Sequence, residues 1–577
     1  MPQSKGRKKK KIKKPKKHSA SFDREVIEKD GIQLIREGRN VFLNNTRTPE
    51  EHAAFIASLK ENRPMQLTTI EKLIEDIIKI FETYDNLKLL GGLKYNQITN
   101  QHSPEDDGIS ALTLELGMSF STAIPLNPVK EPTPSVIHKL IRLLTALRQE
   151  YNGYIMTENV TGKYSELESK LRFKTILESL FVRGDGYVQH VYSLYRELFS
   201  AHDDFLIKHY GFSANELLET FIQLEDSFCC RLVLSNGLPH SASHSRFVEW
   251  SKLKGENQIL SSGKHFIDLF GDENPDLIVE NTQILSYRLD EIETYPELFK
   301  IRYRYDYQKL VVSALAQKFG DNNDFLNPKY KGLPLNKTSI STHPIIHFNN
   351  NYFLFSFSLP TRNIFEIGES LIEKASSDYY KEKYLGNKYA HSRDNFLENK
   401  SAELFKKIIP DSKSYLNLKY RPGQLDAQGN LIETELDLLI ISKTVNFIIE
   451  MKAGGLSAPS KRGALKSLSG QLKDTIGFGA YQSFRAINFI KESDNPEFYD
   501  GKGNIIIIDK SKKLFRITIT MEHLAGLIAY MYDLKEIGII DKKIDFAWTC
   551  SIYDLIIFSE IIENENDFIE YLEKRIP

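Results

Sequence analysis

Cysteine is nearly absent: the 577 residues include three, Cys229, Cys230 and Cys550. Two are adjacent, so there is no disulfide framework and no Cys-x-x-Cys metal site. That scarcity suits a reducing cytosol. Long apolar runs are missing too. No stretch of about 18 apolar residues occurs, so no segment is expected to span a bilayer. No apolar segment follows the basic N-terminus, which argues against a secretory signal. Gly-x-x-x-x-Gly-Lys-Ser/Thr and Gly-x-Ser-x-Gly are both absent, so neither an ATPase phosphate loop nor a hydrolase nucleophile elbow is expected. His240 and His244 are four apart, but a zinc pair at that spacing needs a helix, and Pro239 and three serines in LPHSASHS argue against one. Acid is missing from one place in particular. Residues 1–17, MPQSKGRKKKKIKKPKK, carry ten Lys and Arg and no Asp or Glu.

What is present describes a folded chain. At 41% hydrophobic and 11% aromatic residues it can bury sizeable cores, and its length suggests roughly two to four domains. The net charge of −1 conceals an asymmetry, because beyond residue 17 there are 66 basic against 77 acidic residues. Ten positive charges around one Ile cannot pack a core, so residues 1–21 are expected to be a disordered basic arm. Its cluster at Lys8, Lys9 and Lys10 suits salt-dependent contact with nucleic-acid phosphates. A nuclear-import signal, a membrane-surface patch or a solvated tail fits the same residues. The expected location is cytoplasmic, or nuclear in a eukaryotic cell.

Patterning divides the rest. Residues 22–265 read as mainly helical. TTIEKLIEDIIKIFETY (Thr68–Tyr84) spaces Ile70, Ile74, Ile77, Ile78 and Phe81 on a helical period, with Thr68 or Thr69 as N-cap. Residues 266–388 read as a connecting α+β segment. There YFLFSFSLP (Tyr352–Pro360) alternates Phe353, Phe355 and Phe357 like a strand. Residues 389–520 read as helix, strands, helix and strands. Residues 521–577 read as a helical extension around a short FAWTC strand.

The informative stretch is ETELDLLIISKTVNFIIEMKAG (Glu433–Gly454), two apolar strands and a tight turn. Side chains alternate faces along a strand, so Glu435 and Asp437 share one face and Glu450 and Lys452 share another. A two-residue turn at Lys443–Thr444 sets Asp437 opposite Glu450 and Glu435 opposite Lys452, with Cβ atoms about 5 Å apart. Two opposed carboxylates repel one another, and a divalent cation between them reverses the sign. Mg²⁺ and Mn²⁺ favour oxygen ligands and use one or two carboxylates plus phosphate. With an ammonium beside them, such a set suits metal-assisted phosphodiester hydrolysis. The plainer alternative is a solvated face with an ordinary Glu435–Lys452 pair. Acid-x-acid and Glu-x-Lys are each common alone; their coincidence on adjacent strands is much rarer.

This Glu-Leu-Asp … Glu-Met-Lys pattern, with a helix before it (RDNFLENKSAELFKKII) and one after it, resembles the PD-(D/E)xK nuclease superfamily, Mrr-like and NERD-type members most of all. The resemblance covers roughly residues 390–520. It implies an α/β restriction-endonuclease-like core, a mixed sheet flanked by helices, preceded here by a large mainly α-helical region. It implies an Mg²⁺- or Mn²⁺-dependent endonuclease acting on DNA, most readily double-stranded, in roles such as defence against foreign DNA. Asp437 and Glu450 then correspond to the metal ligands and Lys452 to the catalytic lysine. Many members add a Glu from the first helix, for which Glu398 is the candidate, although an exposed helix carboxylate is the alternative. Glu435 is either an auxiliary ligand or the partner of Lys452. Of two helix glutamines, Gln482 is preferred over Gln471 as a site residue, against a surface amide. Lys461, Arg462 and Lys466 are candidates for strand phosphates, against a solvated loop. The chain departs from the family label at Leu436, where the name expects Pro. A homo-oligomer or partner protein is compatible with the resemblance. So are two other functions, a nucleic-acid-binding scaffold with an inactive nuclease fold and an RNA-directed nuclease.

Overall fold

The computed structural model describes residues 24–29, 32–37, 40–99, 109–126, 130–181, 186–236, 295–327, 332–423, 429 and 431–575. Lys8, Lys9, Lys10, His240 and His244 lie outside the described residues, as does the first part of the expected α+β segment. The chain forms two compact units, one up to Pro64 and one from Met65 onward.

In the first unit, β1 (Arg24–Lys29), β2 (Ile32–Glu37) and β3 (Asn40–Asn45) make an antiparallel meander. This corrects the helical expectation for the residues after the arm. Lys29 pairs with Ile32 and Glu37 with Asn40, so two residues separate each pair of strands. The first of these dipeptides is Asp30-Gly31, a hairpin signal that outweighs local helical spacing. Thr48 then starts a 35-residue helix, Pro49–Thr83. The Thr48 hydroxyl accepts from the Glu51 N–H, and the Glu51 carboxylate accepts from the Thr48 N–H, a reciprocal cap. Thr68 and Thr69 are therefore interior rather than caps, and the Thr69 hydroxyl donates to the Met65 carbonyl one turn back.

The second unit begins with helices that share a large apolar core, among them Asn86–Thr99, Ala111–Ala123, Pro134–Met156, Val188–Phe199 and Ala214–Asn236. Phe353, Phe355 and Phe357 all point into this core. Only Asn351–Phe353 (β6) is strand, completing a small sheet with β4 (Ala316–Gln317) and β5 (Ile345–Phe348). The strand expected through Pro360 ends early because the chain turns into helix at Ser358.

The C-terminal part holds a seven-stranded mixed sheet. Its strands are β7 (Lys413–Tyr420), β8 (Thr434–Ile441), β9 (Val445–Lys452), β10 (Glu497–Tyr499), β11 (Ile505–Ile507), β12 (Lys513–Thr520) and β13 (Trp548–Ser551), in the order β11-β10-β7-β8-β9-β12-β13. β7, β8 and β9 run antiparallel, whereas β12 lies parallel to β9 and β13 parallel to β12. The short strand in the expected C-terminal extension thus belongs to this sheet. Helix Arg393–Ile408 covers one face with Leu397, Leu404, Phe405 and Ile408, joined by Phe568 and Leu572 from the last helix. Helix Phe478–Glu492 covers the other with Ala486, Ile487 and Ile490. Gly479 lets that helix sit close, because a Cβ there would meet the Thr518 methyl at 2.6 Å. No helix among the described residues is long and apolar enough to cross a membrane.

Candidate active site

The site grows from a fork in the β8–β9 hairpin. Its turn is the one expected from sequence: the Ser442 N–H donates to the Val445 carbonyl at 3.0 Å across Lys443–Thr444. The Ser442 hydroxyl accepts from the Val445 N–H. The ladder then runs from Ile441↔Asn446 to Leu438↔Ile449 and stops. One position further, Asp437 Oδ2 accepts a hydrogen bond from the Met451 N–H at 2.7 Å. The carboxylate takes the place of a strand neighbour there.

A second irregularity lies across β8 on its other side. Asn417 of β7 has φ 55°, the left-handed region, in the middle of a strand. Asn enters that region more readily than most residues. On β7, Leu416 packs into the core under helix Arg393–Ile408, while Leu418 packs under helix Phe478–Glu492. On β8, Leu438 and Leu436 divide in the same way. Residues two apart in a regular strand share a face, so both strands change face at Asn417 and Asp437. Like a bulge, the kink re-aims side chains beside a site.

These distortions open a cavity of about 630 Å³. Glu398, Glu435, Asp437, Lys452 and Gln482, all singled out from sequence, line it together. Lys452 Nζ lies 3.6 Å from Asp437 Oδ2 and 3.5 Å from Glu450 Oε2. Its ion partners are therefore these two acids and not Glu435, and that alternative for Glu435 falls away. Glu450 sits behind the cavity wall with 0% of its surface exposed. Both of its carboxylate oxygens lack a hydrogen-bond partner. Burial pushes its carboxyl well above the usual range, the Asp437 charge adds to this, and Lys452 opposes it. Glu398 is raised to about 7 by burial and by Asp437, against a hydrogen bond with Asn417. Burial and Asp437 also raise Glu435, with Lys419 opposing.

Asp394, Asn417 and Asp474 line the same cavity and were not singled out from sequence. Asp394 lies one turn before Glu398 on the same helix, a spacing that was available as a signal. Asn417 is a lone amide within the apolar strand SYLNLKY. Asp474 belongs to a π turn, Lys473–Gly477, between helices Leu465–Leu472 and Phe478–Glu492. Such wide turns are frequent at functional sites.

The expected phosphate-binding cluster is not at this cavity. Lys461 pairs with Glu522 at 2.9 Å, and Lys461 and Arg462 line a separate cavity of about 390 Å³ with Glu178, Arg362 and His523. Lys466 is exposed on its helix and lines neither. The basic run follows the active strand directly, but the loop carries it away. Gln471, the less favoured glutamine, accepts from the Ser457 N–H at 2.8 Å and the Ser460 hydroxyl at 2.6 Å, holding that loop in place.

Among the described residues, no three His, Cys, Asp or Glu side chains converge as a ready-made metal site. Two carboxylates suffice for a hard cation that takes its other ligands from water and phosphate. Glu450 is the test of fit, because a buried carboxylate with two unpartnered oxygens needs either a proton or a cation. No family model, curated protein or solved structure matches this chain.

Proposed function

We propose that this chain is a metal-dependent endonuclease that hydrolyses phosphodiester bonds in DNA, built on a restriction-endonuclease-like core of the PD-(D/E)xK kind. The observation that carries this reading is the arrangement at the fork. Asp437, Lys452 and the unsatisfied Glu450 lie within ion-pair distance along one chain of contacts. A structural ion pair would surround a fully buried acid with hydrogen-bond donors; Glu450 has the Lys452 ammonium at 3.5 Å and no hydrogen-bond donor on either oxygen.

Asp437 and Glu450 would hold Mg²⁺ or Mn²⁺. Bound there, the cation supplies Lewis acidity and charge neutralisation at the scissile phosphate. The chain's own groups do the rest. Lys452, with its side chain largely withdrawn from solvent, keeps its ammonium beside both acids, where it orients an attacking water and offsets charge developing on the phosphate. Glu398, raised to about 7, holds or releases a proton at the cavity wall near neutral pH. Gln482 lines the same space and has a buried amide oxygen with no hydrogen-bond partner, an amide that can orient a donor. Duplex DNA is the proposed substrate, and defence against foreign DNA is the proposed setting.

A plasmid cleavage time course tests the reading, with Mg²⁺, Mn²⁺ or EDTA and with Asp437→Ala in parallel. Metal-dependent nicking or linearisation, lost in the variant, is the expected result. Metal-independent cleavage, or cleavage unchanged in Asp437→Ala, would remove the site from the mechanism.

A further inference from the structure

Beside the cavity, helix Phe478–Glu492 presents an unusual surface. Its buried face is small and apolar, with Gly479, Ala480, Ser483, Ala486 and Ile487. The stripe next to that face carries Phe478, Tyr481, Gln482 and Arg485, spaced three, four and seven residues from the first, so they lie together along the helix. Phe478 is 48% exposed and Tyr481 40% exposed. Their rings lie side by side with centroids 6.3 Å apart and planes inclined by only 24°.

The platform is fixed relative to the reacting groups. Lys452 Nζ lies 5.6 Å from the centre of the Phe478 ring. The Arg485 guanidinium lies 5.5 Å from the centre of the Tyr481 ring. Arg485 is itself held by the Tyr420 hydroxyl at 3.3 Å and by the Thr434 hydroxyl. Gln482, one turn after Phe478, lines the cavity with its amide oxygen unpartnered. The π turn at Lys473–Gly477 ends at Phe478. Leu468, Leu472, Ile476 and Ala480 are buried at steps of four residues through that turn. A step of four exceeds the ordinary helical period, and the wide turn keeps these residues on one face while Phe478 stays outside.

Burying an aromatic ring is worth more than leaving it half in water, so an exposed, near-parallel pair flanked by two cations calls for an occupant. An anionic chain bearing flat rings matches the shape, and the Arg485 guanidinium beside the Tyr481 ring supplies a counter-charge for its backbone. Single-stranded nucleic acids are bound in this way, by aromatic faces for the bases and cations for the backbone.

We propose that Phe478 and Tyr481 form a stacking platform for an unpaired nucleobase next to the scissile phosphate. The preferred substrate is then a nucleic acid that presents a single strand, or a base swung out of a duplex, at the cavity. Lys452 and Arg485 face the adjoining phosphates. The proposal rests on the phosphodiester-hydrolysis reading for its biological meaning, and it narrows the substrate from duplex DNA in general to DNA with an unstacked base at the cut.

The test uses the full-length protein in EDTA, so that binding is read without cleavage. Fluorescence anisotropy measures affinity for a short oligothymidine strand and for a blunt duplex of equal length. The variants are Phe478→Ala, Tyr481→Ala, Phe478→Leu and Phe478→Trp, all at exposed positions. Each Ala variant should bind the single strand about 5- to 150-fold more weakly, the range that loss of one base–aromatic stack produces. Phe478→Leu, equally apolar but without a π face, should weaken as Ala does, and Phe478→Trp should bind like wild type. A single-strand analogue carrying 2-aminopurine should lose fluorescence on binding wild type and keep it on binding Phe478→Ala. Wild-type affinity in both Ala variants, or no single-strand binding by wild type, overturns the platform. Leu binding as well as Phe also overturns it and points to an apolar contact with a protein partner. Plasmid cleavage with Mg²⁺ separates this from the parent reading. Cleavage with unaltered binding in the variants removes the platform and keeps the nuclease. Stacking without any cleavage keeps the platform and removes the hydrolysis.

Discussion

Asp437 Oδ2 and the backbone N–H of Met451 are joined at 2.7 Å where β8 and β9 cease to pair. One carboxylate therefore has two tasks: holding the fork open and supplying charge to the cavity. The tasks can be separated by mutation. Asp437→Asn keeps an oxygen for the Met451 N–H and loses the charge, whereas Asp437→Ala loses both. Asn should unfold in urea close to wild type yet show no calorimetric Mn²⁺ binding and no cleavage. Ala should lose about 1–3 kcal/mol more, the cost of a buried donor left unmet. Equal stability of the two variants would mean that the hydrogen bond does not hold the fork.

Glu450 predicts a conflict between stability and function. Its carboxylate is fully buried beside Asp437 with neither oxygen hydrogen-bonded. Glu450→Gln replaces the ionisable group with a neutral amide at nearly constant volume. In EDTA at neutral pH the variant should melt at a higher temperature than wild type, because an acid whose carboxyl is raised on folding costs stability there and an amide does not. Added Mn²⁺ should reverse the order by stabilising wild type alone, by about 2.7 kcal/mol at a hundredfold excess over Kd. A wild-type melting temperature that ignores Mn²⁺ would argue against a cation at this acid.

Lys452 is the shared counter-charge of both acids. Lys452→Ala should keep the fold and abolish cleavage, and Lys452→Arg should not restore it, since a planar fork does not replace a compact ammonium. Cleavage by Lys452→Ala within tenfold of wild type would take the lysine out of the chemistry.

The hairpin was legible because alternation and a two-residue turn set its register, and β8 and β9 pair in that register up to Leu438. Asp437 and Lys452 line the cavity from the two strands of that hairpin, whereas Glu398 and Gln482, which join them there, were named from the family resemblance and not from the register. Other parts were not legible. Alternation predicts a regular strand, so it cannot announce the face change at Asn417, where one left-handed residue overrides the period of two. The FAWTC strand was legible, but its membership of the sheet was not: β13 is buried on every residue and pairs in parallel with β12 across an intervening helical segment, so no alternation or hairpin turn marks its partner. Lys461 and Arg462 lie close to the site in sequence, but Glu522 and the Gln471 anchor turn their loop elsewhere. The sheet at Arg24–Asn45 was readable from Asp30-Gly31 and was obscured by apolar spacing that also fits a helix.

Asn417 makes the face change testable. A β-branched residue is strained at positive φ, so Asn417→Val should lose about 1–2 kcal/mol and cleave poorly. Asn417→Gly accepts the backbone at no steric cost but removes the side chain that hydrogen-bonds Glu398. It should recover most of the folding stability in urea denaturation relative to Val, while cleavage stays below wild type. Full activity in the Gly variant would confine Asn417 to shaping the strand.

Two histidines that do not line the cavity predict how stability responds to acid. His202 is completely buried, and burial, aided by His391, lowers its imidazole to about 4. Burial and the neighbouring Lys374 ammonium, 2.6 Å from its ring, lower His343 to about 4 as well. In the unfolded chain both take up protons near their ordinary value of 6.5. Between about pH 6.5 and 4 the unfolded state therefore binds more protons than the folded one, and stability falls as pH falls through that window. At about 1.4 kcal/mol per pKa unit, His202 alone accounts for roughly 3 kcal/mol by the bottom of the window. Urea denaturation at a series of pH values should show this decline. His202→Leu, which cannot take up a proton, should flatten it by about one proton's worth of slope. An unchanged slope in the variant would mean that His202 is already charged in the folded protein, or that the loss on acidification comes from other groups.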